Sequence, residues 1–252
     1  MRIAVLSDIH ANMHALQAVW DDLSRLEVDA IYCLGDLVGY GAFPNDVIEF
    51  VSRNRILTIM GNYDEAVGYD MHESGTLPRS AQQDRLDRIS LAWTRETTTS
   101  KKKGYLQSLP LNRREAHRKL RMVFVHGSPR RINEYLYPDL PQATFKAMAR
   151  LADCDVLFTG HTHMPMVKRI ERTWMINPGS VGMPQDGDAR ASYALLTRGL
   201  RLDIVIRRVA YDTKAASDAV IRAGLPDALA HYLTRGQLVR ARTDMLEGEK
   251  TG

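Results

Sequence analysis

Cysteine is scarce: Cys33 and Cys154 are the only two in 252 residues. Two thiols cannot build a disulfide framework or a four-sulfur zinc site, so a reducing, cytoplasmic compartment is expected. Long apolar runs are also missing. Ala4-Val5-Leu6 and Met122-Val123-Phe124-Val125 fall far short of the roughly 20 residues a membrane helix needs. The start of the chain carries one basic residue, Arg2, and an apolar run broken by Asp8 and His10, unlike a signal peptide. Neither secretion nor a membrane partner is expected. Charge of one sign barely accumulates, since 34 Lys and Arg face 30 Asp and Glu. A net +4 is too weak to imply a nucleic-acid partner.

What is present is an ordinary folded composition, 44% hydrophobic and 25% charged, in a chain long enough for one sizeable core. The charge is unevenly spread. Residues 101–131 hold ten basic side chains, from Lys101 to Arg131 and including Arg118, against Glu115 alone. That segment reads either as a solvated face or as an anion-steering surface.

Apolar periodicity predicts a strand at 3–6, then a helix carrying Leu16, Val19, Trp20, Leu23 and Leu26, with Asn12 as its N-cap. A strand at 30–34, a helix after Pro44 and a strand at 56–60 complete a β-α-β-α-β opening, which favours parallel pairing. Residues 65–110 are polar, with Leu86, Ile89 and Trp93 at helical spacing, and read as a mostly helical, cap-like insertion. Strands are expected at 122–125, 156–159, 166–170, 173–176, 192–197 and 202–209, and a helix at 142–152. The short separations among the later strands favour antiparallel pairing. Helices near 213–222 and 226–234 lead to a polar tail, and no repeat or linker divides 1–252, so a single domain is the simplest organisation.

The first five expected strands each run out into metal-capable side chains: Asp8 and His10, then Asp36, then Asn62 and Asp64, then His126, then His161 and His163. Taken singly, each has a structural explanation, as a turn residue, a cap or a buried imidazole. In α/β sheets, however, ligands collect beyond the carboxyl ends of the strands, so these loops should converge. A mixed nitrogen and oxygen set suits Mn, Fe, Zn, Co or Ni better than calcium. Four histidines, two aspartates and an asparagine already make seven donors, more than one ion needs. Two ions sharing a carboxylate would suit in-line displacement at phosphorus.

Asp8-Ile9-His10, Gly35-Asp36, Gly61-Asn62-Tyr63-Asp64, His126-Gly127 and Gly160-His161-Thr162-His163 resemble the five signature blocks of the calcineurin-like metallophosphoesterase superfamily. Asp8-Ile9-His10-Ala11-Asn12 and Asn177-Pro178-Gly179-Ser180 further resemble its small bacterial and archaeal phosphodiesterase branch. The resemblance implies a four-layer α/β/β/α sandwich of two mixed sheets with a dinuclear centre, manganese favoured. Asp8, His10 and His163 would hold one ion, Asn62, His126 and His161 the other, and Asp36 would bridge them. It implies hydrolysis of a small phosphodiester or nucleotide-like substrate by metal-bound hydroxide, with Asp36, Asn62, Tyr63 and Asp64 as catalytic residues.

Tyr63 departs from the family's usual histidine. A phenol with a pKa of about 10 donates a hydrogen bond but shuttles protons poorly near neutrality, which favours diesters or anhydrides over alkyl monoesters. Arg130 and Arg131 are candidate phosphate ligands, and Tyr40, Tyr135 and Tyr137 either stack a base or pack. Two other readings stay open: a dinucleoside polyphosphate hydrolase using the basic 101–131 segment, and an interaction scaffold on the same fold.

Overall fold

Alternation along single strands sets the layers. The computed structural model describes residues 1–77, 80–117 and 119–237. In chain order the elements are β1 (Arg2–Leu6), α1 (Met13–Leu23), β2 (Ala30–Cys33), α2 (Pro44–Arg53), β3 (Leu57–Thr58), α3 (Asn62–Gly68), α4 (Ala81–Thr97), α5 (Ser100–Gln107) and β4 (Asn112–His117). There follow β5 (Leu120–Val125), α6 (Gln142–Ala152), β6 (Val156–Phe158), β7 (Met166–Ile170), β8 (Thr173–Asn177), β9 (Ala191–Arg198), β10 (Leu202–Val209), α7 (Thr213–Arg222) and α8 (Asp227–Arg235).

Successive strand side chains point to opposite faces. Ala4 and Leu6 of β1 join a cluster with Leu16 of α1, Ile48 of α2 and Val220 of α7, whereas Ile3 and Val5 face Met122, Phe124 and Phe158 of the other sheet. β5 repeats the device, because Val123 and Val125 turn away from that inter-sheet layer toward Phe145 and Met148 of α6. Strands buried on both faces therefore read as unbroken apolar runs. The result is helices, sheet, sheet, helix: the four-layer sandwich.

The two five-stranded sheets have the orders β10-β9-β1-β2-β3 and β4-β5-β6-β8-β7. The opening strands β1, β2 and β3 are parallel as expected, and the short connections of β7–β8 and β9–β10 give antiparallel pairs. Short spacing misleads elsewhere: β8 runs parallel to β6, and β9 pairs antiparallel with β1 across the length of the chain. β4 was not anticipated by the periodicity. It is an edge strand, Asn112–His117, whose Arg113, Arg114 and Glu115 carry no apolar alternation, and charge is how edge strands avoid pairing with other chains. The expected strand at 56–60 shortens to Leu57–Thr58.

Residues 65–110 are helical over α4 and α5, and Leu86, Leu91, Leu106 and Leu109 belong to the same apolar cluster as α1 and α2. Asn12 caps α1 by accepting from the Ala15 amide. The expected polar tail begins within the described residues, and its part from 238 to 252 lies outside them.

Asp22, at the end of α1, clamps that helix to the sheet. It accepts from Arg207 Nε and Nη2, each at 2.9 Å, and from the Tyr193 hydroxyl at 2.6 Å. The Arg207 hydrogen bond holds the carboxyl below its ordinary range. A depressed folded pKa contributes stability above the unfolded value of about 3.9 and loses it as pH falls. Asp22→Ala is therefore expected to cost about 1 kcal/mol at pH 7, since Arg207 is partly solvated, with the Tm gap closing below about pH 4. A Tm gap that is flat from pH 3 to pH 7 would count against the clamp.

Candidate metal centre

Five strand ends from two sheets meet at one edge. β1 leads to Asp8 and His10, β2 to Asp36 and β3 to Asn62, while β5 and β6 of the second sheet lead to His126, His161 and His163. All seven are buried. The sheets are tied together here by His126 Nδ1 on the Leu34 carbonyl, 2.8 Å, and by the His161 amide on Asp8 Oδ2, 3.1 Å. Asp8, His10, Asp36, His161 and His163 all have φ between +48° and +63°. Non-glycine residues rarely adopt the left-handed region, and such strain persists only where the surroundings over-determine it, typically at functional sites. Gly61 and Gly160 make the close approach possible. A Cβ on Gly61 would lie 2.1 Å from Asp36 Oδ1, and one on Gly160 would lie 2.2 Å from Ser7 Oγ.

The imidazole tautomers follow from their partners. His10, His126 and His163 set Nδ1 at 2.9, 2.8 and 2.7 Å from the Val38, Leu34 and Met183 carbonyls. A carbonyl only accepts, so Nδ1 carries the proton and Nε2 is left with a bare lone pair. His10 Nε2 nevertheless lies 3.0 Å from His163 Nε2. His126 Nε2 lies 2.9 Å from Asn62 Oδ1, whose orientation is set by Asn62 Nδ2 donating to the Ser74 carbonyl. With the rings neutral, both pairs bring lone pair against lone pair, a repulsive arrangement that a cation, or a proton in its place, relieves. Asp8 Oδ1 and His161 Nε2 are buried with no hydrogen-bond partner. These residues fit metal ions.

Two groups of donors emerge, Asp8–His10–His163 and Asp36–His126–His161, each with its ligand atoms within 4.8 Å of one another. Asp36 Oδ2 stands between them, 3.7 Å from His10 Nε2 and 3.5 Å from His126 Nε2. Its Oδ1 accepts from the Tyr63 amide at 2.8 Å. Burial would raise the pKa of Asp8 and Asp36, but the surrounding imidazoles outweigh it and hold both carboxyls low. Without a cation, burial opposes a charge on His126, yet Asp36 overrides it and raises the ring to about 9, so that a proton on Nε2 takes the place of the ion the neutral ring would face, while burial and His126 depress His161 to about 3.

Asp64 sits apart from these donors in its bonding. Its two oxygens accept from the Leu37 and Gly61 amides, at 2.9 and 3.0 Å, tying the loop after β2 to the first turn of α3. Burial and the nearby Asp36 charge push its carboxyl upward. Asn177 and Ser180 brace the centre: Asn177 Nδ2 donates to the Gly160 carbonyl and Thr162 Oγ1, and Ser180 Oγ donates to the Asp8 carbonyl.

The cavity outside the donors is walled by Tyr40, Tyr63, Tyr135 and Tyr137 with Thr76, Gln83 and Gln185. Tyr135 stacks on His161, ring centroids 4.0 Å apart, and lies parallel to Tyr137. The Tyr63 phenol, held protonated by burial and by the Asp87 charge, bonds to Tyr40. Among the described residues no Lys or Arg lines this cavity. Arg130 pairs with Glu134, and Arg131 is exposed. Half of the ten basic residues of the 101–131 segment are ion-paired, Lys102 with Glu49, Lys103 with Asp70, Arg113 with Glu115, Arg121 with Asp153 and Asp155, and Arg130 with Glu134, while Arg118 lies outside the described residues. Sequence reasoning missed Thr76, Gln83, Asp87 and Gln185. Their position in the polar 65–110 segment and in the loop after β8 carries no chemical motif that could have marked them.

The known proteins agree with this geometry. Residues 1–199 match the calcineurin-like phosphoesterase superfamily domain. An uncharacterized protein of Methanocaldococcus jannaschii is 33% identical over 255 residues, covering 93% of this chain and 98% of that protein. The crystal structure of a metallophosphoesterase from Sphaerobacter thermophilus is 33% identical, covers 94% of this chain and 99% of its own, and has a TM-score of 0.76. A hypothetical protein from Pyrococcus horikoshii OT3, 24% identical with 94% and 99% coverage, shares the fold at a TM-score of 0.81. Two mixed sheets meeting at a buried cluster of paired metal-donor groups are thus joined to a family match over most of the sequence, and the chain belongs to the calcineurin-like phosphoesterase superfamily.

Proposed function

We propose that the protein is a two-metal phosphodiesterase acting on a small phosphodiester. One observation carries the reading: two buried donor groups whose lone pairs face each other, with the Asp36 carboxylate between them. Asp8, His10 and His163 would hold one divalent ion, Asn62, His126 and His161 the second, and Asp36 would serve both. Manganese is the favoured ion. When bound, the ions supply Lewis acidity that neutralises phosphoryl oxygen charge and lowers the pKa of water. The chain's own contribution is orientation. Backbone carbonyls fix three imidazoles in the ligating tautomer, and Asp64 locks the loop bearing Asp36 onto α3, a positioning role rather than contact with substrate. Tyr63 lines the cavity with its hydroxyl bonded to Tyr40.

Among the described residues no cationic side chain lines the cavity, which supports a diester over a dianionic monoester or a polyphosphate, because the ions would have to meet the extra charge. Arg130 and Arg131 are accordingly assigned no substrate contact. No helix among the described residues is long and apolar enough to cross a membrane, and Cys33 and Cys154 are free and buried, which supports a reducing cytoplasm.

The test is a phosphoester panel assayed with Mn, Fe, Zn, Co and Ni. Hydrolysis of bis-p-nitrophenyl phosphate is expected to exceed that of p-nitrophenyl phosphate and of diadenosine tetraphosphate. Equal or faster turnover of the monoester would reject the diester preference. Protein that neither retains a transition metal nor hydrolyses any ester would favour a scaffold.

A further inference from the structure

α4 reaches into the cavity wall through a chain of hydrogen bonds. Tyr40 is held there twice: its amide donates to Ser90 Oγ at 2.7 Å, and its hydroxyl donates to Asp87 Oδ1 at 2.8 Å. The Tyr63 hydroxyl donates to the Tyr40 hydroxyl at 2.6 Å. Proton counting then sets the direction of the chain. A phenol has one proton and two acceptor positions. The Asp87 carboxylate can only accept, so it takes Tyr40's proton. Tyr40 can then only accept from Tyr63, and Tyr63's proton is spent. Ser74 approaches Tyr63 as well and occupies at most one of its lone pairs. The remaining lone pair belongs to the hydroxyl of a side chain that lines the cavity, on a ring whose centroid is 5.6 Å from that of His10.

Building on the phosphodiesterase reading, we infer that Tyr63, polarised by Tyr40 and Asp87, is a hydrogen-bond acceptor that selects phosphodiesters bearing a hydroxyl on the carbon next to the ester, as glycerol and ribose esters do. The chain gives the site a preference that the metal donors themselves do not encode. Tyr63 is the contacting residue, and Tyr40 and Asp87 are positioning residues that act through it. Burial raises Asp87 to about 6, so the carboxylate form prevails at pH 8.

The test measures binding rather than turnover, using non-hydrolysable methylphosphinates, in which both ester oxygens of the diester are replaced by carbon, on the Mn-loaded protein at pH 8. The 3-hydroxypropyl phosphinate offers a donor, while the 3-methoxypropyl phosphinate retains an oxygen but offers none. Wild type is expected to bind the hydroxypropyl phosphinate about 5- to 10-fold more tightly, the effect of one net hydrogen bond. Tyr63→Phe removes only the oxygen and should bring the ratio below about twofold. Asp87→Ala releases Tyr40's proton toward Tyr63 and should collapse or invert the ratio, an outcome that loss of packing alone would not produce because it weakens both ligands together. Equal binding of the two phosphinates by wild type, or a preference that survives Tyr63→Phe, overturns the inference. If bis-p-nitrophenyl phosphate is still hydrolysed, the phosphodiesterase reading stands without it. Failure to bind either phosphinate and to hydrolyse the diester overturns both.

Discussion

Asp36→Asn is expected to lower hydrolysis of the diester by about three orders of magnitude, on the order of 4 kcal/mol of transition-state stabilisation. The charged oxygen that stands between the two donor groups is lost, while the Tyr63 amide keeps an acceptor at the other. Bound metal, measured on the purified protein, should fall from two ions toward one. Stability should fall as well without metal. The imidazoles outweigh burial and hold the Asp36 carboxyl low, so its charge contributes stability near neutral pH and the metal-free variant should melt below metal-free wild type. The Tm gain on adding metal should also shrink. A variant matching wild type in metal content and rate would refute the two-ion assignment.

The second large effect concerns backbone approach. Gly61→Ala would put a methyl 2.1 Å from Asp36 Oδ1 and 2.2 Å from the Asp36 amide nitrogen, contacts that no rotamer relieves because one partner is backbone. Overpacking of this kind costs roughly 1–3 kcal/mol, a Tm fall on the order of 5–10 °C for a chain of this size, and it displaces a metal donor at the same time. Metal retention should therefore fall together with Tm. Gly104→Ala is the matched control: nothing lies within 4 Å of its added methyl, it sits inside α5, and helix propensity predicts a gain of up to about 1 kcal/mol. Equal Tm changes in the two variants would remove the close-approach argument.

Particular elements show where local reading works and where it stops. β1 and β5 are legible because burial on both faces leaves unbroken apolar runs. β4 is not legible, since an edge strand is selected for charge that resembles loop. The parallel pairing of β8 with β6 and the pairing of β9 with β1 depend on contacts distant in sequence, which spacing does not report. The basic run at 101–131 is partly illegible for the same reason, since Glu49, Asp70, Asp153 and Asp155 meet Lys102, Lys103 and Arg121 from other elements.

By itself the sequence determined the parallel β-α-β-α-β opening and the candidate metal donors, because strand-end residues in a fixed order carry side chains that can do little else in such numbers, while the two-sheet architecture came from its resemblance to a known family. Only the tertiary structure decided how those donors divide into two groups, which imidazole nitrogen faces inward, and that Asp64 binds backbone amides instead of the cavity. It alone revealed that Asp87 reaches Tyr63 through Tyr40. Tautomer, grouping and hydrogen-bond direction depend on which carbonyl or hydroxyl stands opposite each atom, and those partners come from strands and helices far away along the chain.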